Sequence, residues 1–331
     1  MANLVNAVLR NILRNFDNIR YPAAEEDMLQ HLTIAYSHPV WMVKRWMTRF
    51  SPAELEKMLA ANNEIPALSL RINKLKIQPA SFLTLLDQQN IPYQGSAYID
   101  YFIRVKSLGR ITQMEAFHLG YFSIQDESAA LPVQLLSPQP GERIIDMCAA
   151  PGGKTTLLGE MMKNQGEILA IDKYEHKLRM VKASCERLGI SIVQPAIGDS
   201  AELELNPAKK VIVDAPCSGL GVLRKKPDIK WKRQAEDIEH LAVLQDRLLE
   251  NAARLVEPGG VLVYSTCTIE PEENELRIRS FLARHPEFHA DDPSKFVNKS
   301  VITTDGFVNT FPHRHQLDGS FAVRMVKGTD H

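Results

Sequence analysis

Two cysteines in this 331-residue chain stand where side chains do chemistry: Cys217 in Val-Ile-Val-Asp-Ala-Pro-Cys-Ser-Gly (211–219) and Cys267 in Val-Leu-Val-Tyr-Ser-Thr-Cys-Thr (261–268). Each follows a β-branched apolar run of the kind that forms a buried parallel strand. Each is therefore placed just past a strand's carboxyl end, where open α/β sheets set their ligand crevice. Two thiols would then face one pocket. Chemistry that uses two thiols without a metal or a disulfide is uncommon, and addition to a pyrimidine ring followed by elimination is one such case. The four cysteines, Cys148, Cys185, Cys217 and Cys267, lie far apart with no Cys-x-x-Cys pair, which argues against a zinc site, or any other metal centre, and against a disulfide framework.

A second cluster is Asp146-Met-Cys-Ala-Ala-Pro-Gly-Gly-Lys-Thr-Thr156 at a predicted strand-to-helix turn, where glycines let the backbone approach a ligand and a helix N-terminus offers free N–H groups. Its Gly-Gly-Lys-Thr invites comparison with a triphosphate-binding loop. That motif would require glycine at 148, where Cys148 stands, and the dinucleotide fingerprint Gly-x-Gly-x-x-Gly is also missing. What remains is a glycine turn followed by acids at successive strand ends. Asp172 is placed to accept from two ribose hydroxyls, and Asp199 to meet an adenine amino group. Such acids suit a cationic, phosphate-free nucleoside cofactor better than an anionic nucleotide, which points to S-adenosylmethionine. The plainer alternative is that Asp172 and Asp199 only cap helices.

The elements that must position these groups follow a regular alternation from about Gly141. Strands are predicted at 143–147, 167–172, near 191, at 211–214 and at 261–265. Helices are expected from Lys154, over 176–188 and over 238–256, with a turn at Glu257-Pro258-Gly259-Gly260 before the fifth strand. Strands alternating with helices define an α/β fold built on a doubly wound, mostly parallel sheet. Leu317 to Met325 reads as a turn into a final antiparallel edge strand. Upstream, residues 1–60 are helical in pattern. Leu4, Val5, Val8, Leu9, Ile12 and Leu13 share a stripe, and Ser51-Pro52 opens a helix. From Pro66 to Arg110, strands at 68–72 and 101–105 flank a helix at 81–89, a small α/β unit. The expected division is a helical segment 1–29, a small α+β subdomain 30–112 and a catalytic domain 113–331.

Hydrophobic residues make up 44% of the chain and charged ones 24%, with no apolar run long enough to span a membrane and no signal-peptide pattern, so a cytoplasmic protein is expected. The net charge of −1 hides a slight asymmetry, 13 basic against 9 acidic side chains in residues 1–110. Any nucleic-acid surface must be a local patch. Arg224 to Arg233 is the candidate, with six basic residues in ten and Trp231 among them. Such a run is ordinarily a solvated face, but this one follows Cys217 directly, which favours RNA contact through Arg224, Lys225, Lys226, Lys230 and Trp231. His313 and His315 have no evident chemical partner and read as surface or structural residues.

Four motifs occur in order: Asp-x-Cys-Ala-Ala-Pro-Gly-Gly-Lys-Thr-Thr, Asp-Ala-Pro-Cys-Ser-Gly-x-Gly, Lys-Pro-Asp-Ile-Lys-Trp, and Tyr-Ser-Thr-Cys-Thr-x-x-Pro-Glu-Glu-Asn. With Ser-Leu-Arg-Ile-Asn (69–73) and Gln125-Asp126-Glu127-Ser128, they resemble the RNA cytosine-C5 methyltransferases, most nearly the bacterial 16S ribosomal RNA enzymes of the Sun/Fmu type. The resemblance spans about residues 30–331. It implies a Rossmann-like class I S-adenosylmethionine-dependent methyltransferase domain, and an N-terminal stretch (4–11) similar to the last helix or two of a NusB-like RNA-binding domain. It assigns Cys267 as nucleophile, Cys217 to product release, Asp214 to cytosine N3 and its amine, and Lys154 to support of the thiolate. Cofactor contacts fall to Cys148, Ala149, Ala150, Pro151, Gly152, Gly153, Lys154, Asp172, Asp199 and Asp214. The expected partner is RNA, 16S rRNA before tRNA, bound by a monomer without a membrane or metal. A non-catalytic RNA-binding or ribosome-assembly factor is the further alternative.

Overall fold

The computed structural model describes residues 2–18, 20 and 22–329. It divides into two compact units, Met1–Asn63 and Glu64–His331. Within the first, α-helices run over Ala2–Arg14, Met28–Ala35, Val40–Met47 and Pro52–Asn63. The Asp27 carboxylate caps the second by accepting from Gln30 N–H at 2.9 Å. Leu32, Met42, Val43, Trp46, Leu55, Met58 and Leu59 are buried. The first helix, by contrast, buries none of its residues, so its apolar stripe is exposed.

The second unit holds two sheets. In the smaller, β1 (Leu68–Ile72), β2 (Tyr93–Gly95), β3 (Phe102–Val105) and β4 (Phe122–Ile124) form an antiparallel sheet in the order β2-β3-β1-β4. Phe82 and Leu86 of helix Pro79–Gln88 share a core with Leu70, Ile103 and Phe122 of that sheet. The larger sheet comprises β5 (Arg143–Asp146), β6 (Glu167–Asp172), β7 (Val193–Ile197), β8 (Ala208–Asp214), β9 (Val256–Thr266), β10 (Phe288–Ala290), β11 (Val308–Thr310) and β12 (Ser320–Lys327). Its order is β10-β12-β9-β8-β5-β6-β7, with β11 paired to β12. Strands β5 to β9 pair in parallel. The chain winds outward from β5 to β7 and then returns to β8, so the β5/β8 seam is the switch point at which such sheets open a crevice.

Along each central strand, alternate residues enter opposite cores. Val211 and Val213 join Ile145, Leu262 and Tyr264 on one face, while Ile212 joins Ile144, Val261 and Val263 on the other. Both faces are covered, which is why these strands read as unbroken apolar runs.

Two expectations are corrected. The last strand is not an edge: β12 lies between β9 and β10, because the three-residue β10, too short to be recognised in the sequence, covers it. The turn at Glu257–Gly260 does not precede the fifth strand but sits inside β9, as extra residues between the pairs Ala208↔Val256 and Lys210↔Val261.

Candidate active site

Strands β8 and β9 are parallel neighbours with Asp214 opposite Ser265, so the loops after them leave the sheet side by side. They bring the two predicted thiols together: Cys217 Sγ lies 3.2 Å from Cys267 Sγ, and the Cys267 N–H donates to Cys217 Sγ at 3.3 Å. The hydrogen bond from Cys217 lowers the Cys267 thiol below its ordinary value, helped by Lys154 and Lys226 and opposed by burial and Asp214. The same bond, with burial, holds Cys217 well above the ordinary range. Of the two, Cys267 is the sulfur whose ionised form these surroundings favour, and its residue is the more exposed.

Beside the thiols, Lys154 Nζ donates to Asp214 Oδ2 at 2.7 Å and Ser265 Oγ donates to Asp214 Oδ1 at 2.8 Å. Asp214 therefore caps no helix. Burial works to lower the Lys154 ammonium, but the Asp214 charge and hydrogen bond raise it above its ordinary value.

What fixes the thiols was not evident from spacing. Glu273, in the Pro-Glu-Glu-Asn segment, is buried and accepts from Ser218 N–H at 2.8 Å, from Ser218 Oγ and from Gln245 Nε2 at 3.0 Å, while Tyr264 OH donates to its carbonyl at 2.7 Å. Asn274 receives Thr266 Oγ1 and donates to the Thr268 carbonyl. Arg233 Nε reaches the Ser218 carbonyl at 3.0 Å. Gly221 donates to the Cys267 carbonyl at 3.1 Å and lies back to back with Gly319, whose carbonyl a Cβ at 221 would strike. An acidic pair after proline reads as surface. Only its place six residues past Cys267, in the motif that begins at Tyr264, marked it.

The glycine turn opens helix Gly153–Met161, with Gly152 at φ +105°. A Cβ there would sit 3.1 Å from Val181 Cα, so the turn is restricted to glycine twice over. Arg71 of β1 is fully buried and anchors this helix, donating to the Gly153 carbonyl at 2.8 Å, Thr156 Oγ1 at 3.0 Å and Glu160 Oε1 at 2.8 Å. Cys148, Asp172 and Asp199 line one cleft of about 280 Å³, with Pro216, Leu244 and Leu248 as an apolar wall. Asp172 Oδ1 accepts from Tyr174 N–H at 3.0 Å, leaving Oδ2 open. Asp199 accepts from Ala201 N–H at 3.1 Å and from Lys173 Nζ at 3.1 Å. Each acid therefore caps a turn and still faces the cleft. Burial and the surrounding acids push the Cys148 thiol well above its ordinary range, so it stays protonated.

Asp146, at the end of β5, accepts from Thr155 Oγ1 at 2.7 Å, and burial raises its carboxyl to about 7. Because the folded value exceeds the unfolded one, its stabilising proton is fully held below about pH 4 and lost as the pH rises through 7. Asp146→Asn should therefore flatten the fall in unfolding free energy between pH 4 and 7 by roughly 4 kcal/mol. Parallel urea titrations of the two proteins that keep the same slope would refute this.

The basic run does not present a uniform face. Arg224 pairs with Asp318 (2.9 Å) and Asp126 (3.6 Å), and Lys225 joins the same two acids. Lys230 is 3% exposed, and burial lowers its ammonium to about 8, so it does not offer the solvated charge expected of it. Lys226, Lys232 and Trp231 remain exposed. Among the described residues no cluster of metal-ligating side chains occurs, and no helix is long and apolar enough to cross a membrane.

This fold and site define an S-adenosylmethionine-dependent methyltransferase. Residues 133–326 match the family described as 16S rRNA methyltransferase RsmB/F, and residues 38–112 match the ferredoxin-like domain of RsmF/B-like methyltransferases. The chain belongs to the 16S rRNA methyltransferase RsmB/F family. It is 36% identical to ribosomal RNA small subunit methyltransferase B of Yersinia pseudotuberculosis, over 99% of this chain and 73% of that one. Among solved structures, PH0851 superposes with a TM-score of 0.83 at 33% identity, covering 93% of this chain and 70% of its own. A methyltransferase homolog from Pyrococcus horikoshii gives 0.80 at 27%, covering 91% and 99%.

Proposed function

We propose that this RNA methyltransferase forms 5-methylcytosine in 16S rRNA through a covalent cysteine adduct. The observation that carries the reading is the pair of hydrogen-bonded thiols, 3.2 Å apart, at the ends of adjacent strands. Cytosine C5 is too weak a nucleophile to take a methyl group unaided. Attack of the Cys267 thiolate on C6 makes the C6–S bond and turns C5 into an enamine carbon. Asp214, joined to Lys154, faces N3 and the exocyclic amine, and a proton given by that pair to N3 offsets the negative charge that the addition builds. After methylation the C5 proton passes to water or hydroxide in the open pocket, its bonding pair re-forms C5=C6, and the C6–S bond breaks to return the Cys267 thiolate. Cys217, protonated and in contact with that sulfur, assists its departure.

S-adenosylmethionine supplies the methyl group. The residues present fit it: Asp172 Oδ2 is open for ribose hydroxyls, the apolar wall suits an adenine ring, and the acids suit a sulfonium cation. The target base must leave its stack or lie in a loop to reach both thiols. Lys226 and Trp231, exposed just beyond Cys217, are placed to meet flanking RNA.

The test is methyl-labelled S-adenosylmethionine with unmodified 16S rRNA, followed by digestion to nucleosides. Label in 5-methylcytidine is the expected result. Label in another nucleoside would overturn the C5 chemistry, and label confined to tRNA in a parallel reaction would overturn the substrate.

A further inference from the structure

We propose that a second cleft, between the edge of the small sheet and the segment 312–316, binds a nucleotide of the RNA outside the base being modified. This rests on the reading of the chain as an RNA methyltransferase. The cleft has a volume of about 440 Å³, larger than the cofactor cleft, and falls in the range of small-ligand sites. Tyr93 from β2, Arg104 from β3, and Lys106 line one side, Gln316 and Arg224 the other.

Its chemistry is that of a nucleotide site. Lys106 is exposed, with no ion pair among the described residues. Arg104 is aimed by its Nε, which donates to the buried Glu127 carboxylate at 2.6 Å. Its Nη1 reaches Gln316 Oε1 only at 3.4 Å, and its Nη2 meets no acceptor among the described residues. A buried donor without a partner is costly, and a phosphate that parts the weak Gln316 contact would satisfy it. Tyr93 offers a half-exposed ring on which a base can stack without sequence preference. Glu64 is the one acid lining the cleft and opposes an anion.

The cleft is joined to the catalytic thiols by a short, fixed stretch of chain. Arg224 follows Cys217 by seven residues, a span of at most about 25 Å. Gly221 within that stretch is tied to the Cys267 carbonyl, and Arg224 is tied to Asp318. An RNA strand whose base enters the thiol pocket would therefore carry a neighbour a few nucleotides away past Arg224.

The experiment is titration of the full chain with unmodified 16S rRNA over a range of salt, with S-adenosylmethionine affinity and thermal melting as controls. Lys106→Gln with Tyr93→Leu keeps Arg104 and its Glu127 partner intact. It should weaken RNA binding about tenfold and lower the salt slope by about one, with cofactor affinity unchanged. Glu64→Gln should tighten binding. If wild-type protein binds and methylates RNA while all three substitutions leave affinity and slope unaltered, the cleft is not a nucleotide site. If wild-type protein neither binds nor methylates RNA, the RNA reading falls and the cleft with it.

Discussion

Cys267→Ala is expected to bind S-adenosylmethionine as wild type does and to lose methyl transfer by roughly 10⁴-fold or more, because the proposed mechanism gives C6 no other nucleophile. Cys217→Ala should do the reverse: form the C6–S bond, transfer methyl and stall, leaving RNA covalently attached to protein as a shifted band on a denaturing gel. The band should vanish when both cysteines are replaced. The substitution has a second consequence. The hydrogen bond from Cys217 is the main influence lowering the Cys267 thiol, so without it Cys267 ionises at higher pH. Adduct formation by Cys217→Ala should accordingly need more alkaline conditions than methyl transfer by wild type. Turnover by Cys267→Ala would reverse the two roles, and an active Cys217→Ala with no adduct would remove the second thiol from release.

Glu273→Ala should cost roughly 3 kcal/mol of stability, since it leaves the Ser218 N–H and the Gln245 amide as buried donors without their acceptor. The loss of activity should exceed what unfolding explains, because Ser218 adjoins Cys217 and that loop would no longer be held against Cys267. Glu273→Gln keeps one oxygen where both of those donors converge and should retain most of the stability and activity. Urea denaturation and initial rates on the same samples separate the two effects. An alanine variant as stable and fast as wild type would show that the cysteine loops hold themselves in place.

Much of this architecture was legible because the central strands are buried on both faces. Glu167–Asp172 folds with the predicted bounds, and Asp214 and Cys217 fall at the end of the next apolar run, as do Ser265 and Cys267. A strand's end is marked by the change from β-branched to small and polar residues, so groups just beyond it can be located from sequence. What was hidden depends on partners remote along the chain. Arg71 lies in the alternating pattern of an ordinary strand, and its burial follows from acceptors more than 80 residues away. Lys230 and Glu273 have charged side chains in polar stretches, and only the packing of neighbouring loops takes them out of water. Strands β10 and β11, of three residues each, are too short to show periodicity.

The Arg71 guanidinium bears on how much of the chain can fold alone. Its site lies in the small sheet and its acceptors in the helix that the glycine turn opens, where Glu160 is 5% exposed on its side chain. A chain beginning at residue 113 would retain every proposed catalytic group yet leave the Gly153 carbonyl, Thr156 and Glu160 without the guanidinium that ties them together, and would open the Glu160 carboxylate to water. The smaller sheet is thus no detachable accessory to catalysis. It supplies the guanidinium that pins the first two turns of the helix after the glycine turn.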